Sequence, residues 1–443
     1  LAPADIRKQG TAFDLAMAIG ILAASGQIPV VALDGVVLLG ELGLDGALRP
    51  VSGVLSIATL CKREGKRGLV VPSGNMKEAA VVRGLNVVGA STLAEVVRHL
   101  QGSERIHPTT LDPEALLLDS ASSCPDFEDV RGQSAAKRAL EIAAAGSHNI
   151  LMLGPPGSGK TMLARRMPGI LPPLALREAI EVTRVYSVAG LLGGRALMSA
   201  RPFRAPHHSV SYAGLAGGGC PLRPGEISLS HNGVLFLDEL PEYSRNVLEV
   251  LRQPMEEASI TLSRASGTMR FPSRFLLVAA MNPCPCGHHG DGSDHCVCDP
   301  GAVARYLGRV SGPLTDRIDL HIELPPVSID ALTTTGGIER SDSIRDRVTR
   351  AREIGSTRFR GVSGIFANAH MTPSDIRRWC LHSRAVASLL AAAVERSGLS
   401  ARSYDRVLRV ARTIADLAGE QAIREEHVAE ALQYRVLGGP RDS

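Results

Sequence analysis

The chain has 443 residues, and its hydrophobic and charged fractions, 44% and 21%, are ordinary for a globular protein with about two or three domains. The net charge of +4 is too small to indicate nucleic-acid binding by itself. No segment resembles a secretory signal, and the longest early apolar run, Leu15 to Ala24, is too short to cross a bilayer. We therefore expect a cytoplasmic protein with no membrane segment.

The first hundred residues alternate short strands with helices. Apolar periodicity predicts helices over Phe13–Ala24 and Leu93–Leu100. Short apolar runs predict strands at Ile28–Leu33, Val36–Gly40, Ala47–Val51 and Leu69–Pro72. Hairpin turns are predicted at Asp34-Gly35 and Asp45-Gly46.

The run from Gly40 to Gly46, with Pro50 to Gly53, resembles the proteolytic domain of Lon-type proteases, a fold shared with several non-proteolytic ATPases. Ala12 holds the place of that family's nucleophilic serine, and Leu55 holds the place of its lysine. Because no Ser–Lys dyad can form, the resemblance implies a structural, DNA-binding or partner-binding domain without protease activity. The chain starts at Leu1 rather than Met, so we expect this domain to lack its first residues.

Residues 102–125 are predicted to form a linker, because Ser, Thr and Pro recur in it. A short helix over Asp112–Leu118, with Pro113 in its first turn, interrupts this linker. We expect four parts: an N-terminal Lon-like α+β domain over 1–101, the linker, a nucleotide-binding core over 126–326 and a helical lid over 327–443.

The phosphate-loop pattern G-x-x-x-x-G-K-[ST] is matched by Gly154, Pro155, Pro156, Gly157, Ser158, Gly159, Lys160 and Thr161. A predicted strand, His148–Leu153, precedes the loop, and a helix opens at Met162. Backbone N–H groups in this context bind phosphate oxygens. Lys160 is expected to reach the β- and γ-phosphates of ATP, and Thr161 to bind Mg²⁺. The alternative is a Gly-rich turn without a ligand.

The second half of the nucleotide site is predicted from two later strands. The apolar run Gly233–Leu237 ends in Asp238 and Glu239, which is the Walker B arrangement. Asp238 is expected to hold Mg²⁺ through water, and Glu239 to activate the attacking water. Asn282 follows the strand Phe275–Ala280 at the sensor-1 position of AAA+ proteins and is expected to contact the γ-phosphate or the water. The alternative is a buried strand with two exposed carboxylates at its end.

Arginines near the end of the core are candidates for nucleotide contacts. Arg317 lies in an Asp-Arg-Ile-Asp run just before the predicted strand Leu320–Leu324. This run resembles one in AAA+ rings whose arginine reaches into the neighbouring subunit, so the resemblance implies that Arg317 is an arginine finger. The alternative is a surface ion network. Lid helices are predicted at Ile344–Ile354, Pro373–Trp379, Ser383–Arg396, Ala401–Leu417 and Glu426–Tyr434. Arg402, in preference to Arg406, is assigned to the sensor-2 position, while Arg409 and Arg412 are assigned to a charged helix face.

Extra chain between Tyr186 and Ser230 contains residues that suit contact with a nucleic-acid backbone: Arg201, Arg204, His207 and His208. The histidines could instead bind a metal ion, but no third ligand is suitably spaced. After a predicted helix over Ser244–Glu257, a hairpin is predicted from Ser259–Arg264 and Thr268–Phe271. Arg264 and Arg270 are expected near its tip, where they would project into the pore of a ring. The alternative is a solvated hairpin.

Four cysteines, Cys284, Cys286, Cys296 and Cys298, are clustered at a spacing that can close a tetrahedral Zn²⁺ site. Nearby side chains leave a mixed ligand set open: His288, His289, Asp291, Asp294 and His295. The C-x-C spacing is tighter than the common C-x-x-C. Free or redox-labile thiols and an iron–sulfur cluster therefore remain alternatives to a structural zinc.

Motifs along nearly the whole chain resemble the ComM (YifB) family of magnesium-chelatase-like AAA+ ATPases. The matching runs are Leu1 to Asp5, Pro202 to His208, Arg223 to Ile227, Gly233 to Glu239, Asn282 to Gly287 and Ala411 to Leu417. Thr315 departs from the family, which usually has Leu before the Asp-Arg-Ile-Asp run. The resemblance implies an α/β AAA+ P-loop NTPase core, with a parallel sheet flanked by helices and a C-terminal helical lid.

For function, the resemblance implies a hexameric, ATP-driven DNA helicase that promotes branch migration in homologous recombination, notably in natural transformation. Its expected partners are single-stranded or branched DNA, further copies of the chain and recombination proteins. Two other classes stay open. One is the ATPase subunit of a magnesium chelatase, which is a metal-insertion motor, and the other is a protein-remodelling AAA+ ATPase.

Overall fold

The computed structural model describes residues 10–118, 124–264, 267–290, 292, 295–326, 339–362, 364–397 and 400–435. The chain divides into two compact units. The first comprises Leu1–Ala121 and Leu174–Ala200, and the second comprises Ser122–Pro173 and Arg201–Ser443. The core predicted over 126–326 is thus not continuous along the chain, since the stretch Leu174–Ala200 groups with the N-terminal unit. The predicted run Leu1 to Asp5 lies outside the described residues.

The first unit combines a small sheet with surrounding helices. Its strands are β1 Val36–Leu38, β2 Glu41–Leu42, β3 Leu48–Arg49, β4 Gly68–Pro72 and β5 Asn86–Ala90. Strands β1, β4 and β5 form a three-stranded parallel sheet, and β2 pairs antiparallel with β3. The helices are Asp14–Ala24, Val54–Arg63, Met76–Ala80, Leu93–Gln101, Pro113–Leu118 and Leu176–Ala189.

Two predictions in the first unit have opposite outcomes. The strand predicted at Ile28–Leu33 is wrong, because Val30–Leu33 forms a 3-10 helix in which Val30 and Val31 are exposed. Asp34-Gly35 is therefore not a hairpin turn. The hairpin around Asp45-Gly46 is confirmed by the antiparallel pairing of β2 with β3.

The helix Leu176–Ala189 belongs to the first unit because its apolar face joins that unit's core. Leu174 and Ala179 cluster with Leu55 and Val81, all four of which are buried. The buried carboxylate of Glu78 accepts a hydrogen bond from the backbone N–H of Leu55 at 2.9 Å. Leu55, expected at the place of a catalytic lysine, is thus a core residue.

The second unit is built on a five-stranded parallel sheet. The strands of this unit are β6 Ile150–Leu153, β7 Phe203–Arg204, β8 Gly217–Gly218, β9 Arg223–Pro224, β10 Val234–Leu237, β11 Ser259–Arg264, β12 Gly267–Pro272, β13 Leu276–Met281 and β14 Leu320–Glu323. The strand order of the five-stranded sheet is β14-β6-β13-β10-β7. Helices in the core are Ser134–Gly146, Lys160–Ile170, Tyr212–Ala216, Glu226–Leu229, Arg245–Glu249, Arg252–Glu257, Pro300–Leu307 and Gly312–Thr315.

Helices cover this sheet, so its central strands are apolar along their whole length. All residues of β10 and β13 are buried, as are the first three of β6. Parallel strands place their carboxyl ends at one edge of a sheet, where α/β proteins bind ligands. The phosphate loop after β6, the acidic pair after β10 and Asn282 after β13 are therefore brought to the same edge.

The helix predicted over Ser244–Glu257 is interrupted, because Arg245–Glu249 and Arg252–Glu257 are separate helices. Pro254 has no N–H to donate to the carbonyl group of Val250, which favours a break at this point.

The C-terminal part is helical, as predicted. Its helices are Ser341–Arg358, Pro373–Trp379, Arg384–Ser397, Ala401–Leu417 and Glu425–Gln433. Ser400 caps the Ala401–Leu417 helix by accepting a hydrogen bond from the Ser403 N–H. Arg412 is 1% exposed and pairs with Asp416, so its assignment to a charged helix face is wrong. Among the residues that the structure describes, no helix is both long and apolar enough to cross a membrane.

Candidate nucleotide-binding site and thiolate cluster

The phosphate loop lies between β6 and the Lys160–Ile170 helix. Gly157 and Gly159 have positive φ angles of 78° and 83°, a conformation that favours glycine. The Lys160 ammonium donates to the carbonyl oxygens of Gly154 at 2.6 Å and Pro155 at 2.8 Å, and burial lowers its pKa. Lys160 is therefore held inside the curve of the loop, where phosphate oxygens would bind.

Thr161 and Asp238, the two residues predicted to hold Mg²⁺, lie side by side. The Thr161 hydroxyl donates to Asp238 Oδ2 at 2.6 Å. Mg²⁺ prefers oxygen ligands at about 2.0–2.1 Å and keeps several waters, so it combines readily with one hydroxyl and one carboxylate. The donor set fits Mg²⁺ bound together with nucleotide phosphates.

Glu239, the predicted catalytic base, is paired with His208. Its backbone has a left-handed φ of 52°, which is costly for a residue with a side chain and which recurs at functional sites. His208 Nδ1 lies 3.2 Å from Glu239 Oε2. The His208 ring packs on His207, with centroids 4.0 Å apart, and meets the edge of Tyr243. His208, predicted to contact nucleic acid, lies beside Glu239 in the structure.

Asn282 is close to both halves of the nucleotide site. It directly follows β13, which pairs with β6 on one side and with β10 on the other. The Gly154 N–H donates to the Met281 carbonyl oxygen at 3.2 Å, which ties the start of the phosphate loop to the end of β13. This position suits the predicted sensor-1 role.

Arg317 lies near the amino ends of the parallel strands, at the edge of the sheet opposite the phosphate loop. It precedes β14, and the Asp319 N–H donates to the Asn149 carbonyl oxygen just before β6 begins. Five residue steps along β6, at about 3.3 Å each, separate Asn149 from Gly154 by roughly 16 Å. The backbone of Arg317 therefore lies far from the phosphate loop of its own chain. Its guanidinium donates to the Pro313 carbonyl oxygen at 2.7 Å and pairs with Glu256.

The start of the Ala401–Leu417 helix lies at this same edge. The Arg406 side chain is largely buried, and its Nε lies 3.5 Å from Asp319 Oδ1. One turn earlier, Ser403 accepts a hydrogen bond from Arg435, which also donates to the Ile318 carbonyl oxygen. The neighbouring Arg402 is exposed. A sensor-2 contact from Arg402 thus fits a nucleotide held by another subunit better than one held by the same chain.

Arg201 and Arg204 were predicted to contact nucleic acid, but both guanidinium groups have internal partners. Arg201 donates to three backbone carbonyl oxygens, those of Pro172, Pro173 and Asn232. Arg204 makes a bidentate ion pair with Glu226. We therefore assign these arginines to the support of β7 and the loops around it.

The predicted hairpin is present as β11 paired with β12. Arg264 pairs with Gly267 next to the turn, whose residues Ala265 and Ser266 lie outside the described part of the chain. Arg270 is opposite Thr261, and its Nε donates to Ser259 Oγ at 2.9 Å. Arg264 is thus near the tip, as predicted, whereas Arg270 lies toward the base.

The four clustered cysteines converge on one point. Sγ of Cys284 lies 3.3 Å from Sγ of Cys286 and 3.9 Å from Sγ of Cys296, and all four sulfur atoms lie within 4.8 Å of one another. A tetrahedral ion with Zn–S bonds of about 2.3 Å would separate its sulfur ligands by roughly 3.8 Å. Backbone N–H groups, led by that of His288, lower the pKa of Cys286 to about 6. The donor set fits a soft metal ion such as Zn²⁺.

The alternative ligands in the loop do not join this cluster. The rings of His288 and His295 meet edge to face, with centroids 5.8 Å apart, and the group of possible metal ligands in this loop consists, among its described residues, of the four cysteines. Asp291 and Asp294 lie outside the described residues. None of the described cysteines forms a disulfide.

Sequence reasoning missed two contacts in this unit. The pairing of Arg317 with Glu256 joins residues 61 positions apart, and the contact of Gly287 with Pro156 joins the cysteine loop to the phosphate loop. No local pattern signals either contact.

A parallel sheet with this strand order, with its nucleotide residues on neighbouring strands, defines the protein as an AAA+ P-loop NTPase. The family model "Magnesium chelatase, subunit ChlI" matches residues 126–332, its C-terminal counterpart matches 338–435, and "Subunit ChlI of Mg-chelatase" matches 1–75.

Comparison with individual proteins gives a closer grouping. Competence protein ComM of Haemophilus influenzae is 47% identical over 439 residues, which are 99% of this chain and 85% of the relative. YifB of Escherichia coli is 43% identical over 442 residues, 99% of this chain and 84% of the relative. A magnesium-chelatase 67 kDa subunit of Heliobacterium mobile is 25% identical over 278 residues, 53% of this chain and 41% of the relative. The chain belongs to the ComM/YifB family of magnesium-chelatase-like AAA+ proteins, and the predicted resemblance is confirmed.

Proposed function

We propose that this protein is an ATP-driven DNA translocase that works as a hexameric ring and promotes branch migration during homologous recombination. The observation that carries the proposal is the separation of Arg317 from the phosphate loop of its own chain. That placement supports a finger that acts on the site of a neighbouring subunit, as in rings that couple ATP turnover to movement along a polymer. The name of the ComM relative, a competence protein, supports a role in natural transformation.

In the proposed reaction, Lys160 binds the β- and γ-phosphates, and the backbone N–H groups of the phosphate loop surround them. Thr161 and Asp238 would hold Mg²⁺, which neutralises charge on the phosphate oxygens. Glu239 accepts the proton of the attacking water, and Asn282 positions that water or the γ-phosphate. Arg317 of a neighbouring subunit stabilises the charge of the transition state.

We assign DNA contact to the hairpin of β11 and β12. Arg264 is exposed near its tip, and the neighbouring residues Ser263 and Gly267 to Arg270 are exposed as well. An exposed arginine at a hairpin end can pair with phosphate without losing an internal partner. Arg270 remains a weaker candidate, because one of its nitrogens already binds Ser259. His207 is also exposed and keeps its predicted role at the DNA surface.

We further assign a structural Zn²⁺ to the four cysteines and a non-proteolytic supporting role to the Lon-like domain. The converging sulfur atoms support the first assignment. Ala12 at the place of the serine nucleophile supports the second. Metal analysis of the purified protein should find about one zinc per chain. A folded protein without metal would contradict the zinc assignment.

The deciding experiment measures ATP hydrolysis and branch migration with single-stranded and branched DNA, with Lys160→Ala as the inactive control. We expect DNA to raise the turnover of the wild-type protein and branches to migrate only with ATP. A second candidate, a magnesium-chelatase-type metal-insertion motor, is favoured by the family models that match the chain. Turnover that ignores every DNA but responds to a chelatase partner would replace the first proposal with this one.

A further inference from the structure

We propose that the metal centre formed by the four cysteines braces the phosphate loop, so that metal occupancy controls nucleotide affinity. The proposal rests on the zinc assignment made above and does not depend on DNA translocation. It assigns the metal a task at the ATP site without placing it among the reacting groups.

The brace is a direct contact between Gly287 and Pro156. A Cβ atom added to Gly287 would lie 2.5 Å from Cδ and 2.7 Å from Cγ of Pro156, so the backbone of the cysteine loop is packed tightly on the proline ring. Gly287 has a positive φ of 89°, and a larger residue would be both strained and obstructed here.

The phosphate loop needs this support because Pro156 lies in its exposed half. Pro156 and Gly157 are exposed, whereas Pro155 and Ser158 on either side are buried. A lateral contact at Pro156 therefore limits the movement of the segment whose N–H groups must point at phosphate oxygens. Displacement of such groups by about 1 Å can lower activity by roughly a hundredfold.

The metal ligands determine where Gly287 lies. The Gly287 N–H is directed at Cys284, with its sulfur atom at 3.2 Å and its carbonyl oxygen at 3.0 Å. The His289 N–H also approaches Cys284 Sγ, at 3.4 Å. Cys284 itself is fully buried and lies three residues beyond β13. The sulfur atom that would bind the metal is thus the one that orders the turn pressed against Pro156.

Hydrophobic packing contributes little to this loop. Val297, between two of the cysteines, is 87% exposed. Cys286, Cys296 and Cys298 are each partly exposed. Bonds from four thiolates to one ion would therefore supply most of the order of the loop, and loss of the ion would release Gly287 from Pro156.

The first test compares two glycine substitutions in the same loop. Gly287→Ala places a methyl group against Pro156, whereas Gly292→Ala introduces similar backbone strain, at a φ of 79°, where the added Cβ meets no described atom within 4 Å. Affinity for a fluorescent ATP analogue and zinc content are measured on both variants without DNA. We expect Gly287→Ala to retain zinc and bind the analogue about tenfold more weakly, and Gly292→Ala to match the wild type in both measurements.

The second test removes the metal. A zinc chelator, followed by dialysis and return of Mg²⁺, should weaken binding of the analogue by the wild type about tenfold, and added Zn²⁺ should restore it. Pro156→Ala lacks the ring on which Gly287 rests, so zinc removal should cause no further loss in this variant. Unchanged affinity of zinc-free wild type, or of zinc-loaded Gly287→Ala, would overturn the brace. A wild-type protein that never holds zinc would overturn both the brace and the zinc assignment, and neither result bears on DNA translocation.

Discussion

Replacement of Arg317 by Ala tests the central claim, which is that the ATP site is completed by a second subunit. The substitution removes one hydrogen bond to Pro313 and one ion pair with the largely exposed Glu256. Exposed ion pairs contribute about 1 kcal/mol or less, so the variant should fold and bind ATP. Loss of an arginine finger lowers turnover by roughly 10³ to 10⁵, which corresponds to about 4–7 kcal/mol of activation free energy. Arg309→Ala, which also removes an exposed ion pair, is the matched control.

Mixed rings make the prediction quantitative. Lys160→Ala inactivates the site that its own subunit carries, and Arg317→Ala inactivates the site of a neighbour. In a random 1:1 mixture, about one quarter of the interfaces combine an intact Lys160 with an intact Arg317 from the adjacent subunit. We therefore expect two inactive proteins to regain about a quarter of wild-type turnover when mixed, if the sites act independently.

The assay is steady-state phosphate release with and without branched DNA, after subunit exchange. Wild-type turnover in Arg317→Ala alone would refute the finger. Failure of the mixture to recover, although each variant forms rings and binds ATP, would refute the assignment of Lys160 and Arg317 to one shared site.

Three further predictions concern residues close to these groups. His208→Ala should raise DNA-independent ATP turnover about two- to fivefold, because it frees Glu239 from an exposed pair, and DNA affinity measured by fluorescence anisotropy should stay unchanged. Glu256→Gln in an otherwise wild-type protein should raise ATP turnover by a similar factor, because Arg317 is released from its ion pair. Unaltered turnover would show that the pairing does not restrain the finger. Burial lowers the pKa of His321 to about 4. Because this histidine is neutral when folded, stability should be complete above about pH 6.5 and fall between pH 6.5 and 4, and denaturant midpoints of His321→Leu should depend less on pH in that window.

Much of the nucleotide site was predictable because its signals are local. The phosphate loop, the acidic pair after β10 and Asn282 after β13 each follow a short buried strand. The parallel sheet then brings the ends of these strands to one edge without further information. The same reasoning failed at Val30–Leu33, where an apolar run suggested a buried strand but Val30 and Val31 are exposed. An apolar run forms a strand only where another strand pairs with it, and hydrophobicity alone does not predict that pairing.

Arginine was the residue type that local patterns predicted least well. Arg201, Arg204 and Arg412 all fitted exposed roles in the sequence, yet each has internal partners. Arg204 pairs with Glu226, 22 residues away. Asp416, which binds Arg412, also binds Arg358, which lies 58 residues before Asp416. A guanidinium group can satisfy its donors with distant carboxylates or carbonyl oxygens, so its exposure depends on tertiary contacts rather than on spacing.

Two other side-chain pairs connect the proposed catalytic residues to the segments proposed to touch DNA. Glu239 is paired with His208, whose neighbour His207 is exposed on the same loop. Arg317 is paired with Glu256, which lies in the helix that ends two residues before the β11–β12 hairpin. Movement of the loop would act on the base in the same subunit, and movement of the hairpin would act on the finger offered to the next. One DNA strand that contacts both segments could therefore release both groups at once, which would make ATP turnover depend on DNA at each interface of the ring.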